Sequence, residues 1–406
     1  VTFAHFLQTG ETSWNKRRIA EKLDSDIGLY LHIPFCRSKC PYCDFYSVAA
    51  LPNHTEDHLL MESYTQALCI KITTWGERLP EKRLGSVYFG GGTPSLLGAK
   101  RIAALLNSVA AAFRFAERME ITLECNPSDA GGTGGFDFRG AALAGVNRIS
   151  LGLQSAVDAE RAALGQRGSV RDAERALERA RQAGIGNLSL DVMLGIPNRL
   201  PERMQSRKSL LDSIAFCAAQ DVPHVSAYLL KLESGTALHT KQASLAFPEE
   251  EAFCALYLSA CEALEDTGLR QYEISNFARP GWESRHNLRY WNAEEYLGLG
   301  PAAHSFLDGK RFYYPRDLRG FLANGEPFPD GKGGSFEEYA MLRLRLTEGL
   351  TQSTVRARFG HGIPEPLLQR AAGFAAQGLV TLSPEAVALT RQGFLLSNRI
   401  IADLLG

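Results

Sequence analysis

Cysteine is scarce in this chain. It supplies 8 of 406 residues, and five of them, Cys69, Cys125, Cys217, Cys254 and Cys261, stand alone. That scatter excludes a disulfide framework, which dense cysteines build in short secreted domains. No apolar run reaches the ~18 residues of a membrane-spanning helix. An excess of one charge is also missing: 44 Lys and Arg face 45 Asp and Glu, for a formal net charge of −1. Nucleic acid and anionic membranes therefore have no electrostatic claim as partners. Residues 1–26 mix charges, as in Asn15-Lys-Arg-Arg18, and lack the apolar core of a signal peptide. A reducing cytoplasm is the expected setting. The apolar share, 45%, is enough to bury a large core, and the length suits about two or three domains.

The three remaining cysteines fall together. Cys36, Cys40 and Cys43 lie in Tyr30-Leu-His-Ile-Pro-Phe-Cys-Arg-Ser-Lys-Cys-Pro-Tyr-Cys-Asp-Phe45, a C-x3-C-x2-C run with no fourth cysteine behind it. Cysteine clusters commonly bind structural zinc, but such sites bring a second cysteine pair or a close histidine pair. Neither follows here, and soft thiolates equally suit iron–sulfur clusters. Three thiolates on one loop leave a corner of a four-iron cube open to a small ligand.

A strand–helix rhythm fills the first half. Leu29–Ile33, Ser86–Phe89, Glu120–Leu123, Arg148–Leu151, Asn187–Val192 and His224–Leu229 read as strands. Between them Ile102, Leu105, Leu106, Val109 and Phe113 recur at helical spacing, as do Ala173, Ala176, Leu177, Ala180 and Ala183 ahead of a capping Gly184. Alternating strand and helix implies a parallel sheet with right-handed crossovers. The expected fold class is α/β, a partial (β/α)6 TIM-like barrel, with a doubly wound sheet as the alternative.

Polar residues gather at the predicted strand ends, where parallel barrels build their sites. The cysteine loop follows the first strand and Gly90-Gly91-Gly92-Thr93-Pro94 the second; Glu124, Gln154, Asp191 and Tyr228 belong to the next four. Alone, a glycine run is usually a turn, and each polar residue could be a satisfied structural group. Together they describe a mouth: glycines admit close backbone approach, Glu124 can hold an ammonium group or a ribose hydroxyl, and Tyr42 can cover an adenine-sized ring.

These features resemble the radical S-adenosylmethionine (SAM) superfamily. Tyr30–Cys36, Phe89-Gly-Gly-Gly-Thr-Pro-Ser95, Ile149-Ser-Leu-Gly-Leu-Gln-Ser155 and Asp191-Val-Met-Leu-Gly-Ile-Pro197 are similar to the oxygen-independent coproporphyrinogen oxidase group. The resemblance implies a [4Fe–4S] cluster on Cys36, Cys40 and Cys43. It implies SAM contacts from Tyr30, Tyr42, Gly91, Gly92, Thr93, Glu124, Gln154 and Asp191. Oxidases of the group carry a further cysteine where this chain has Phe45. His286-Asn-Leu-Arg-Tyr-Trp291 matches the H-N-x-x-Y-W motif of the HemW-type haem chaperones, which bind haem and pass it to haem-requiring apoproteins. The resemblance thus makes haem the cargo and His286 the haem ligand, with His304 a second candidate. One departure is plain: the family's L-G-R-x-H run is Leu164-Gly-Gln-Arg-Gly168 here, with Gln166 at the arginine position. The oxidase and a structural zinc protein remain the rival readings.

Residues 27–305 form the expected barrel with the haem motif, after an N-terminal extension over 1–26. Residues 306–335, rich in Gly, Pro and Asp, read as a linker. Residues 336–406 read as a small α+β, winged-helix-like domain: a helix over 336–346, a hairpin over 378–390 and a closing helix over 393–404. Its 7 arginines against 6 acids make no basic stripe for DNA.

Overall fold

The computed structural model describes residues 26–131 and 135–406; apart from Asp26, the N-terminal extension lies outside them. Six parallel strands follow in sequence order: β1 (Asp26–Ile33), β2 (Arg83–Gly91), β3 (Arg114–Cys125), β4 (Arg148–Gln154), β5 (Asn187–Leu194) and β6 (His224–Leu229). This unreversed order rules out the doubly wound sheet, which needs the strand order to reverse at a central switch point. After β6, Asn276–Ala278 (β7) turns antiparallel, while Tyr296–Leu299 (β8) returns to lie parallel beside β1. The barrel is therefore partial, as expected.

The strands alternate sharply. One face of β1 to β6 carries Leu29, Leu31, Ile33, Val87, Phe89, Ile121, Leu123, Ile149, Leu151, Leu190, Val192 and Val225, all buried. Against it pack the crossover helices α1 (Thr55–Arg78), α2 (Ala99–Ala112), α3 (Phe138–Leu143), α4 (Val170–Gln182), α5 (Arg207–Ala219) and α6 (Glu250–Asp266). In α2 the predicted stripe of Ile102, Leu105, Leu106 and Val109 is buried, each side chain contributing about 1.5–3 kcal/mol. Gly184 ends α4 at φ +87°, and Ile185 N–H closes the turn on Ala180 O at 3.0 Å. The opposite strand face is polar, as described below.

Residues 306–335 are not a linker. Their Gly and Asp residues make turns between paired strands: β9 (His304–Leu307), β10 (Lys310–Tyr313) and β11 (Phe328–Lys332) extend the sheet antiparallel beyond β8. The helix Leu318–Leu322 lies between the last two.

The C-terminal part has the expected helices and hairpin. Helices α7 (Phe336–Arg343), α8 (Gln352–Phe359) and α9 (Glu365–Ala375) accompany a three-stranded sheet of Leu350–Thr351, Ala386–Leu389 and Val380–Leu382. The closing helix is two, Arg391–Leu395 and Ser397–Leu405, and α7 stops three residues short of the predicted end. No helix among the described residues is long and apolar enough to cross a membrane.

Candidate functional site

The cysteine loop is clamped at its base. Phe35–Cys36 pairs with Val48–Ala49, and Ala50 N–H donates to Cys36 O at 2.8 Å. Its flanks are tied down as well. Arg37 pairs with Asp129 and Arg316 with Asp44, while His32 Nε2 bonds Tyr46 O at 2.9 Å and Leu238 N–H reaches Pro41 O at 2.7 Å. The loop thus overhangs a cavity of about 660 Å³ at the barrel mouth.

Cys36, Cys40 and Cys43 all line this cavity. Thr93 Oγ1 donates to Cys36 Sγ at 3.6 Å, and Gln166 Nε2 to Cys40 Sγ at 3.3 Å. Burial, with the neighbouring Cys43 and Cys36 thiols, pushes the Cys40 thiol up to about 11; a metal's positive charge is what brings such thiols to the thiolate form. Among the described residues no group of three or more His, Cys, Asp or Glu could hold a single metal ion. The donor set, three soft thiols around one cavity, fits a cluster with one open iron.

Tyr42, Gly91, Gly92, Thr93, Glu124, Gln154 and Asp191 line the same cavity. Two glycines are required sterically. Gly91 has φ +105°, and a Cβ there would fall on the His32 ring; a Cβ at Gly92 would meet Phe35 O at 2.6 Å. Glu124 accepts from Tyr88 O–H at 2.7 Å and Gly91 N–H at 3.2 Å, and burial raises its carboxyl to about 7. Asp191 accepts from Ser150 Oγ at 3.2 Å and is raised by burial to about 6. Both carboxyls are poised to gain a cationic or hydroxyl-bearing ligand. Gln154 sits at φ +66°, a strained conformation for a residue with a side chain, which aims it from the end of β4.

Three expected residues are not among the cavity's lining. Tyr30 lies behind it, stacked on Tyr88 at 6.2 Å and bonded to His32 Nδ1 at 3.1 Å. His286 is 1% exposed. Its Nδ1 bonds Ser86 Oγ and its Nε2 the Tyr290 hydroxyl, both at 2.8 Å, and its ring stacks on Tyr88 at 5.1 Å. Burial lowers it to about 3. With both nitrogens engaged, this conformation offers haem iron no lone pair. The H-N-x-x-Y-W run instead forms the short helix Arg285–Trp291, held by Glu120, whose carboxylate accepts from Arg285 N–H and His286 N–H. From this run Asn287 lines the cavity. His304 is exposed at the edge of β9, stacked on Tyr313 at 5.3 Å.

The cavity also takes in residues the sequence reading passed over: Tyr88, Arg148, Ser150, His224 and Ser226. Their signal was the period-two alternation of polar residues along each strand, which marks a lumen-facing side.

Comparison with known proteins agrees with this geometry. Residues 30–209 match the Radical SAM superfamily and residues 336–396 the HemN C-terminal domain. "Heme chaperone HemW" of Mycobacterium tuberculosis is 34% identical over 392 residues, 93% of this chain and 95% of that protein. The chain belongs to the HemW family of radical SAM proteins. HemW of Bacillus subtilis is 31% identical over 390 residues, 93% of this chain and 98% of that one. Coproporphyrinogen III oxidase from Escherichia coli shares the fold, with TM-score 0.77 over 94% of this chain and 90% of that one at 18% identity. The superfamily implies a [4Fe–4S] cluster and SAM. When bound, the cluster supplies an electron to the sulfonium. Among this chain's residues, the three thiols would hold the cluster, and Glu124, Asp191 and the glycine turn, which line the same cavity, would face the ligand.

Proposed function

We propose that this protein is a cytoplasmic haem chaperone of the HemW type, which takes up haem and passes it to haem-requiring apoproteins. The observation that carries this reading is kinship over 93% of the chain with proteins named haem chaperones. Phe45 supports it. At the position where the oxidases have a further cysteine, this side chain lines the cavity and is 67% exposed, an apolar face at the rim. In this reading Cys36, Cys40 and Cys43 hold the cluster, and Glu124 takes the ammonium group of SAM. Tyr42, Gly91, Gly92, Thr93, Gln154 and Asp191 line its bed, with Tyr30 bracing Tyr88 from behind. Haem coordination by His286 requires the Tyr290 hydrogen bond to open. The alternative, an oxygen-independent coproporphyrinogen III oxidase, is separated by growth. The protein should not rescue an oxidase-deficient strain without oxygen; rescue would overturn the proposal.

A further inference from the structure

The barrel lumen holds a guanidinium with no direct ion pair among the described residues. Arg148, the first residue of β4, is 2% exposed and lines the cavity. One guanidinium nitrogen donates to Asn187 Oδ1 at 2.6 Å, while Nε has no partner. Among the described residues no carboxylate forms an ion pair with it. Asp191 shares the lumen and feels the guanidinium's charge, which offsets part of the effect of burial, but its hydrogen bonds come from Ser226 and Ser150 and it makes no direct ion pair with Arg148. His224 beside it is neutral, its nitrogens bonded to Ser189 Oγ at 2.7 Å and Tyr272 O–H at 2.9 Å. A buried guanidinium left unpaired costs several kcal/mol, and one that faces a cavity can recover that cost from a ligand.

We propose that Arg148 is the floor of a second ligand site, deeper in the barrel than the SAM residues, that receives a carboxylate of an organic ligand, with Ser226 and Asn287 beside it. Arg148 pairs with Thr122, two residues before Glu124, which puts it about 7 Å of strand below the level of that carboxylate. The other cavity cations, Arg37, Lys39, Arg167, Lys231 and Arg316, belong to loops outside the strands. A single guanidinium, with no second cation and no glycine loop at the floor, matches the charge of a carboxylate better than that of a phosphate. The inference stands apart from whether haem is the cargo.

The test uses the full chain and Arg148→Met. Sodium propionate should raise the Tm of the wild type, and propionamide at equal ionic strength should not. Arg148→Met should have the higher Tm without ligand, because it loses a buried charge that has no direct ion pair, and should bind propionate at least about tenfold more weakly. Arg148→Lys should keep part of the response and serves if the methionine variant does not fold. Haem against haem dimethyl ester separates the sources. A wild-type preference for the free acid that Arg148→Met loses assigns the carboxylate to a tetrapyrrole side chain. Equal binding of acid and ester, with the propionate response kept, assigns a small carboxylic acid. Propionate and propionamide acting alike on the wild type, or Arg148→Met responding as the wild type does, would overturn the proposal.

Discussion

Gln166 Nε2 donates to Cys40 Sγ at 3.3 Å, across 126 residues of chain, and to the Tyr42 hydroxyl at 3.1 Å. Asn126 fixes its other end, donating to Gln166 Oε1 at 3.2 Å. Gln166, at the position where the L-G-R-x-H run would place arginine, is therefore tied to the cysteine loop by Cys40 and Tyr42 and held from behind by Asn126. Hydrogen bonds to cluster sulfurs help set the reduction potential. Gln166→Ala should lower the potential of the reconstituted cluster, measured by redox titration followed by EPR. Gln166→Arg, which would place a cation at the wall of the proposed SAM bed, should tighten SAM binding by about tenfold, or ~1.4 kcal/mol.

Each of Cys36→Ser, Cys40→Ser and Cys43→Ser should lose most iron and sulfide after anaerobic reconstitution, because a two-thiolate loop cannot anchor the cube. Cys69→Ser should retain both, since Cys69 lies on α1 away from the cavity. Metal analysis of the reconstituted wild type checks the rival reading: zinc without iron would mark a structural metal protein.

Buried acids and buried histidines pull stability in opposite directions with pH. Glu124 is raised to about 7, Glu273 to about 7 and Asp191 to about 6, all by burial. Their folded pKa values exceed the unfolded ones, so their stabilising contribution is complete below about pH 4 and is lost as pH rises toward 7. His32, lowered to about 4, and His286, lowered to about 3, do the reverse: their contribution is present above about pH 6.5 and is lost as pH falls. Between about pH 4.5 and 6 the two sets offset one another. Glu124→Gln removes one acid, so its unfolding free energy by urea should gain a slope of up to about 1.4 kcal/mol per pH unit relative to wild type, rising with pH. By the same linkage, SAM affinity should rise through pH 7 as Glu124 ionises, and Glu124→Gln should abolish that dependence.

His286→Ala leaves Ser86 and Tyr290 without their shared partner and removes the ring stacked on Tyr88. The apo protein should lose about 2–4 kcal/mol of stability, read from urea unfolding. An unchanged stability would show that the ring is not the internal brace its contacts describe.

The architecture was largely legible because the apolar strand faces and helix stripes are local patterns. His224–Leu229 was bounded as observed, and the cysteine spacing located the cluster loop. Two kinds of feature were not legible. The sheet extension over 304–332 is made of short strands broken by Gly and Asp, a composition shared with linkers; only long-range pairing such as Phe312 with Pro329 distinguishes them. Burial of a single side chain is also a tertiary property. H-N-x-x-Y-W reads the same whether His286 faces solvent, haem or Ser86, and the fold chooses Ser86. Arg148 was hidden inside a strand pattern, where the alternation Arg148, Ser150, Gly152, Gln154 was the available sign.

Haem uptake and transfer by the reconstituted protein is the most direct measurement. Haem titrated anaerobically should shift its Soret band with saturable stoichiometry, and the loaded protein should then convert an apo-haemoprotein to its holo form, while coproporphyrinogen III supplied with SAM and reductant stays unchanged. Absence of a Soret shift together with conversion of coproporphyrinogen III to protoporphyrinogen IX would contradict the account and make the protein an oxidase.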